Sequence, residues 1–150
     1  MKNKEVSLED LRKDFQNSMP PSIREAVLDL LDNRLWQEIC RVLYNTPINI
    51  RMNQSKLIEH IETFIEENRI DYLKLNEELK ALEEKGYLHI EERSMPDYFL
   101  TPVAVEAIEV ISLIENKVVL SLSKEIKKNR HLKRADVEKR VRQDMRSFLK

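Results

Sequence analysis

The chain has 150 residues, 41% hydrophobic and 35% charged, with 26 Lys+Arg against 27 Asp+Glu. This is the size and mixture of one globular domain, or of one small domain with extensions, that can bury a core without disulfides or metals; disordered and membrane-spanning compositions are excluded. One glycine, Gly86, stands where average usage would place about ten, so glycine-rich phosphate loops, dinucleotide-binding fingerprints and multi-hairpin sandwiches are excluded and a mainly helical protein is expected.

Ser7-Leu8-Glu9-Asp10 opens a first helix, with Ser7 as cap and acids in the first turn, and Met19-Pro20-Pro21 closes it. Ser22 is placed to cap a second helix, in which Ile23, Ala26, Val27, Leu30 and Leu31 recur at helical spacing. Asp32-Asn33 either interrupts this helix or starts the next turn. A third helical run carries Trp36, Ile39, Cys40 and Leu43 on one face and stops near Asn45-Thr46-Pro47. The period then changes. Ile48, Ile50 and Met52 alternate with Asn49 and Arg51, which predicts a short strand with one buried face.

Asn53 is placed to cap a helix carrying Leu57, Ile58, Ile61, Phe64 and Ile65, followed by the polar break Glu66-Glu67-Asn68-Arg69. Asp71 caps the next helix, with Leu75, Leu79 and Leu82 inward and Gly86 at its end, where a left-handed residue is needed. Tyr87 to Glu91 reads as a strand, Arg93 to Asp97 as a turn, and Tyr98-Phe99-Leu100 as the returning strand. Thr101-Pro102 is a cap followed by proline in the first helical position. From Val103 to Lys150 there is neither glycine nor proline, so one very long helix, or two with a break near Asn129-Arg130-His131, is expected. Leu79, Leu82, Leu88 and Ile90 are expected to share a core with Trp36, Ile39, Ile61 and Phe64.

Charge divides the chain. Residues 1–123 hold 15 Lys+Arg and 23 Asp+Glu, a net of −8, whereas residues 124–150 hold 11 and 4, a net of +7. A basic tail on an acidic body can neutralise that body, meet an acidic partner or meet nucleic acid. Cys40 is the sole cysteine, so an internal disulfide is impossible, and its apolar neighbours Trp36 and Leu43 mark it as a core thiol. MKNKEVSLEDL lacks the apolar run of a signal peptide, and nothing approaches 18 unbroken apolar residues, so a cytoplasmic protein without membrane association is expected.

Leu79, Leu82, Gly86, Tyr87 and Leu88, followed after a short turn by Leu100-Thr101-Pro102, resemble the MarR- and PadR-type winged helix-turn-helix families over about residues 33–115. Those families commonly show Leu-x-x-Leu-x-x-x-Gly-Tyr/Leu at the end of the third helix and Leu-Thr-Pro where the wing closes. The resemblance implies a winged helix domain over residues 33–101, preceded by a helical extension over 1–32 and followed by a C-terminal helical segment over 102–150. It also implies a DNA-binding transcriptional regulator, with the third helix in the major groove and the wing and second-helix N-terminus on phosphates. Arg51, Asn53, Gln54, Ser55 and Lys56, with Tyr72, Lys74, Asn76 and Lys80 on the third helix and Arg93 in the wing, are the side chains suited to double-stranded DNA. Glu77, Glu78, Glu83 and Glu84 on the same helix oppose that use: Tyr72 to Lys85 counts four glutamates against three lysines. The fold also serves as protein-interaction architecture without DNA binding, which is the alternative reading.

Of the residues from Val103 to Leu122, 13 of 20 are apolar, so this helix needs cover on more than one side. The resemblance implies a homodimer through it; the chain's own N-terminal helices are the other possible cover. Val137, Val141, Met145 and Phe148 form a stripe amid Lys133, Arg134, Lys139, Arg140, Arg142 and Arg146, a basic amphipathic helix. It can dock on the acidic body, contact phosphates, bind a protein partner or, least in keeping with its single aromatic, lie on a membrane. His60, His89 and His131 stand apart, with His60 and His89 expected on solvent faces, and no metal-ligand spacing, nucleophile elbow or apolar carboxylate pair occurs. No enzyme, cofactor or metal is expected.

Overall fold

The computed structural model describes residues 8–47, 49–128, 136 and 139–143. In chain order the elements are α1 (Leu8–Asn17), α2 (Pro21–Asp32), α3 (Arg34–Asn45), α4 (Gln54–Glu67), α5 (Tyr72–Glu84), β1 (Leu88–Glu91), β2 (Asp97–Leu100) and α6 (Pro102–Lys128). The protein is mainly helical with a small two-stranded antiparallel sheet, in which Leu88 faces Leu100 and Glu91 faces Asp97.

The element ends follow local chemistry. Asn33 accepts from the Trp36 amide at 3.1 Å, Asn53 from that of Lys56 at 3.0 Å and Asp71 from that of Lys74 at 2.7 Å, each satisfying one orphan donor of a helix start. Asn33 thus separates α2 from α3. After α5, Gly86 takes φ +83° and its amide bonds back to Glu83, so the chain turns directly into β1. Arg69 makes the equivalent turn after α4 at φ +52°, a conformation that costs a side-chain-bearing residue about 1–2 kcal/mol.

Two sequence expectations need correction. The second helix is not capped by Ser22: Pro20 occupies the cap position without a side-chain bond, and Pro21 is the first helical residue. Proline suits that place because its missing amide would be unsatisfied there anyway. Nor do the described residues before α4 form a strand. The Ile50 amide turns back to the Pro47 carbonyl, Ile50 is 45% exposed, and only Met52 of the alternating set is shown buried. Pairing shrinks to an Asn53–Asp97 bridge and a bond from the Tyr98 amide to the Met52 carbonyl. Ile48 lies outside the described residues, as do Ser7 and Asn129 to His131.

The core runs without interruption from Phe15 in α1 to Val118 in α6. Leu75, Leu79, Leu82, Ile39, Ile61 and Leu88 are buried as expected, while Trp36, Phe64 and Ile90 are half-buried against them. Full burial of one such side chain contributes about 1.5–3 kcal/mol before conformational entropy is subtracted. The apolar face of α6 is covered chiefly by α2, with α3 and α1 beside it, and Ala104, Ala107, Ile108, Ile111, Ile114 and Val118 are all buried there. The N-terminal helices therefore supply the second cover that this helix needs. Cys40 is fully buried, and desolvation pushes its thiol pKa up to about 12.

Candidate functional site

The residues singled out from sequence lie at the start of α4, along α5 and in the β1–β2 turn. The first residues of α4 connect the three. Gln54 donates from Nε2 to Asn76 Oδ1 on α5 at 2.6 Å, and Asn53, just before α4, forms the bridge to Asp97 at the root of β2. Around this junction Arg51, Ser55 and Lys56 are exposed, with Lys56 Nζ 3.4 Å from the Arg51 carbonyl oxygen. The Asn53 side-chain oxygen is occupied by the α4 cap.

Helix α5 presents two chemistries. Leu75, Leu79 and Leu82 face the core, and the opposite face reads Leu73, Glu77, Lys80, Glu84, all exposed. Lys80 therefore stands between two carboxylates at helical spacing, which reduces the positive potential available to a polyanion. Tyr72, Lys74 and Asn76 flank this face and are exposed. Glu78 turns inward: its Oε2 accepts from Trp36 Nε1 at 2.5 Å, tying α5 to α3 and removing one acid from the outer surface. In the hairpin, Arg93 donates from Nε at 3.0 Å and Nη2 at 2.5 Å to Glu91 Oε1, so the only arginine of the turn is partly neutralised by its own strand.

Sequence reasoning missed three features. The first is Leu73, at 70% the most exposed large apolar side chain among the described residues, next to the already singled-out Tyr72 at 61%. The signal was present for Leu73, which lies two residues before Leu75 and hence about 200° around the helix from the buried row. The second is the Trp36–Glu78 bond. The third is a groove of about 340 Å³ between the end of α3, Thr46, Pro47, β2 and α6, where the half-exposed side chains of Tyr44, Ile50 and Phe99 converge over Met52 and Tyr98. At its rim Tyr44 Oη donates to Glu109 Oε1 at 3.3 Å, and the Glu109 charge raises the Tyr44 pKa. Burial, and secondarily the Glu92 charge, raises that of Tyr98.

A cluster of polar side chains fastens the opposite side. Tyr87 Oη donates to Asp29 Oδ2 at 2.5 Å, Lys85 Nζ lies 3.7 Å from the same carboxylate and 3.8 Å from Glu25, and the Trp36 ring meets Tyr87 edge-on at 6.3 Å. Burial and the Asp29 bond raise the Tyr87 pKa. Arg41 pairs with Glu115 between α3 and α6.

His60 and His89 are exposed, and among the described residues no three His, Cys, Asp or Glu side chains gather as a metal site. No described helix is long and apolar enough to cross a membrane. Of the basic amphipathic stripe, Val141 is buried within a short helical stretch, 139–143, that exposes Lys139 and Arg140. Lys133, Arg134, Val137, Met145, Arg146 and Phe148 lie outside the described residues. Comparison with family models, curated proteins and solved structures finds no match to this chain.

Proposed function

We propose that the protein is a winged helix-turn-helix transcriptional regulator that binds duplex DNA, with α3, α4 and α5 as its three helices and the β1–β2 hairpin as its wing. The observation that carries the reading is the junction at the start of α4, where Gln54 reaches Asn76 and Asn53 pairs with Asp97. It joins one helix N-terminus, one exposed helix face and one hairpin, the three parts this docking mode requires. Arg51, Ser55 and Lys56 then suit phosphate contact, and the first turns of α5 suit the groove. Action as a dimer through α6 is part of the proposal, supported by Leu113 and Val119, apolar side chains that stay exposed on a helix whose other apolar residues from Val103 to Val118 are buried or half-buried.

The test is fluorescence anisotropy of a labelled duplex with the full chain at two salt concentrations, on protein whose mass has been checked by light scattering. Affinity is expected to fall steeply with salt, and Arg51→Ala and Lys56→Ala are each expected to weaken binding and flatten the slope by about one unit. Arg93→Ala is expected to matter less, because Glu91 already holds that guanidinium. No duplex binding at low salt would overturn the reading.

A second reading, an interaction module without DNA binding, is favoured by a separate observation. Tyr44, Ile50 and Phe99 expose apolar surface in one groove, while Glu77 and Glu84 flank Lys80 on α5. Lack of DNA affinity together with a protein partner lost in Ile50→Glu or Phe99→Glu would establish it.

A further inference from the structure

Two side chains at the exposed end of α5 and one at the start of α4 combine into a recognition chemistry more specific than a general affinity for duplex. Leu73 and Asn76 are one turn apart on α5, placing their Cβ atoms about 5–6 Å from each other on adjacent exposed positions. Asn76 does not rotate freely, because its Oδ1 accepts the 2.6 Å bond from Gln54 Nε2 across the gap to α4. That bond leaves the Asn76 carboxamide both Nδ2 hydrogens and a second lone pair on Oδ1, a donor and an acceptor side by side. Beyond this first turn and a half the exposed side chains of the helix are Glu77, Lys80, Glu83 and Glu84, three acids against one base, so contact with a polyanion favours the N-terminal end.

The major-groove edge of an A·T pair matches this set. Adenine offers the N7 acceptor and an N6 donor that a side-chain amide meets bidentately, and thymine adds the 5-methyl, the apolar group a leucine can bury there. We propose that α5 reads an A·T pair or step, with Asn76 on the adenine edge, Leu73 on the thymine methyl and Gln54 as the positioning residue that holds the Asn76 amide. The proposal rests on the duplex-DNA reading above and makes it specific.

The experiment starts from a randomised duplex pool selected by binding to the full chain. The selected duplex is then remade with deoxyuridine for each thymidine, which removes only the methyl, and with 7-deazaadenine for each adenine, which removes only the N7 acceptor. One uracil substitution is expected to weaken the protein about fourfold, the effect of a single buried methyl-sized group. Leu73→Ala should be equally weak on the thymine duplex and indifferent to the methyl. Loss of N7 at one adenine should cost about tenfold, with Asn76→Ala indifferent to it and Gln54→Ala less discriminating at that position while keeping the protein's helical spectrum and salt slope. A selected core of G·C pairs alone, or insensitivity to both base changes, would overturn the proposal. Salt-dependent binding without any selected sequence would overturn it and leave the duplex reading standing. Absence of duplex binding at low salt would remove both.

Discussion

The two sides of the α3–α5 layer are held by different kinds of bond. Within the layer and toward α2 and α6 the ties are long in sequence: Trp36 to Glu78 between α3 and α5, and Arg41 to Glu115, Tyr44 to Glu109 and Tyr87 to Asp29 outward to those helices, each join residues more than 40 positions apart. On the outer side they are short: Asn53 to the Lys56 amide, Asp71 to the Lys74 amide, Arg93 to Glu91, with Gln54 to Asn76 reaching furthest at 22 positions. One side thus carries the fold and the other arranges a surface. Side chains of the outer side can change the chemistry it offers without disturbing the core, whereas the inner side cannot vary without loss of stability.

The contrast can be broken most directly by truncating one leucine-sized side chain on each side. Ile111→Ala, in the buried α2–α6 contact, is expected to cost about 3 kcal/mol in urea unfolding, the transfer and cavity terms together. Leu73→Ala should change stability by less than about 0.5 kcal/mol. Comparable losses at both positions would mean that the outer turn of α5 is also structural.

Alkaline pH tests the inner side by another route. The Cys40 thiol is held near 12 in the folded protein, above its ordinary value of 9.0, so the native state keeps a proton that the unfolded chain releases. Its contribution is therefore fully present below about pH 9 and declines as pH rises from there toward about 12. Cys40→Ala should flatten that part of the stability curve, and wild-type Cys40 should resist alkylation at pH 8 until denaturant is added. A thiol that reacts promptly in the native protein would contradict its burial.

Smaller effects belong to the turns. Asn53→Ala removes the α4 cap and is expected to cost about 1 kcal/mol. Arg69→Gly should raise stability by about 0.5–1 kcal/mol, because glycine relieves the left-handed strain while giving back part of the gain as unfolded-state entropy. Both are read from thermal unfolding. A destabilised Arg69→Gly would show that the arginine side chain contributes something beyond its backbone.

What was legible in the sequence was local. Asn53, Asp71, Gly86 and Thr101-Pro102 announced their boundaries because each acts on backbone groups within four residues of itself. The rows Ile23–Leu31 and Leu75–Leu82 announced their buried faces, but an apolar face does not name what covers it, so the packing of α6 on α2 stayed open against a second copy. The alternation from Ile48 to Met52 misled because five residues carry too little period to distinguish a strand from an extended turn, and here the ladder shrank to one bridge. At the candidate site the exposed cations were readable one by one. Their restraints were not, since neither the Glu91 grip on Arg93 nor the diversion of Glu78 to Trp36 follows from spacing alone.

Thr101 shows how closely the two architectures are coupled. Its hydroxyl donates to the Gly86 carbonyl at 2.7 Å and accepts from the Ala104 amide at 3.4 Å, while its own amide bonds to Tyr87. One side chain thus closes the base of the hairpin and starts α6, leaving no slack residue between them. A torque on the hairpin tip passes into the axis of the long helix instead of being absorbed at a hinge, and amide exchange at Thr101 and Ala104 should report the opening of both elements as one event.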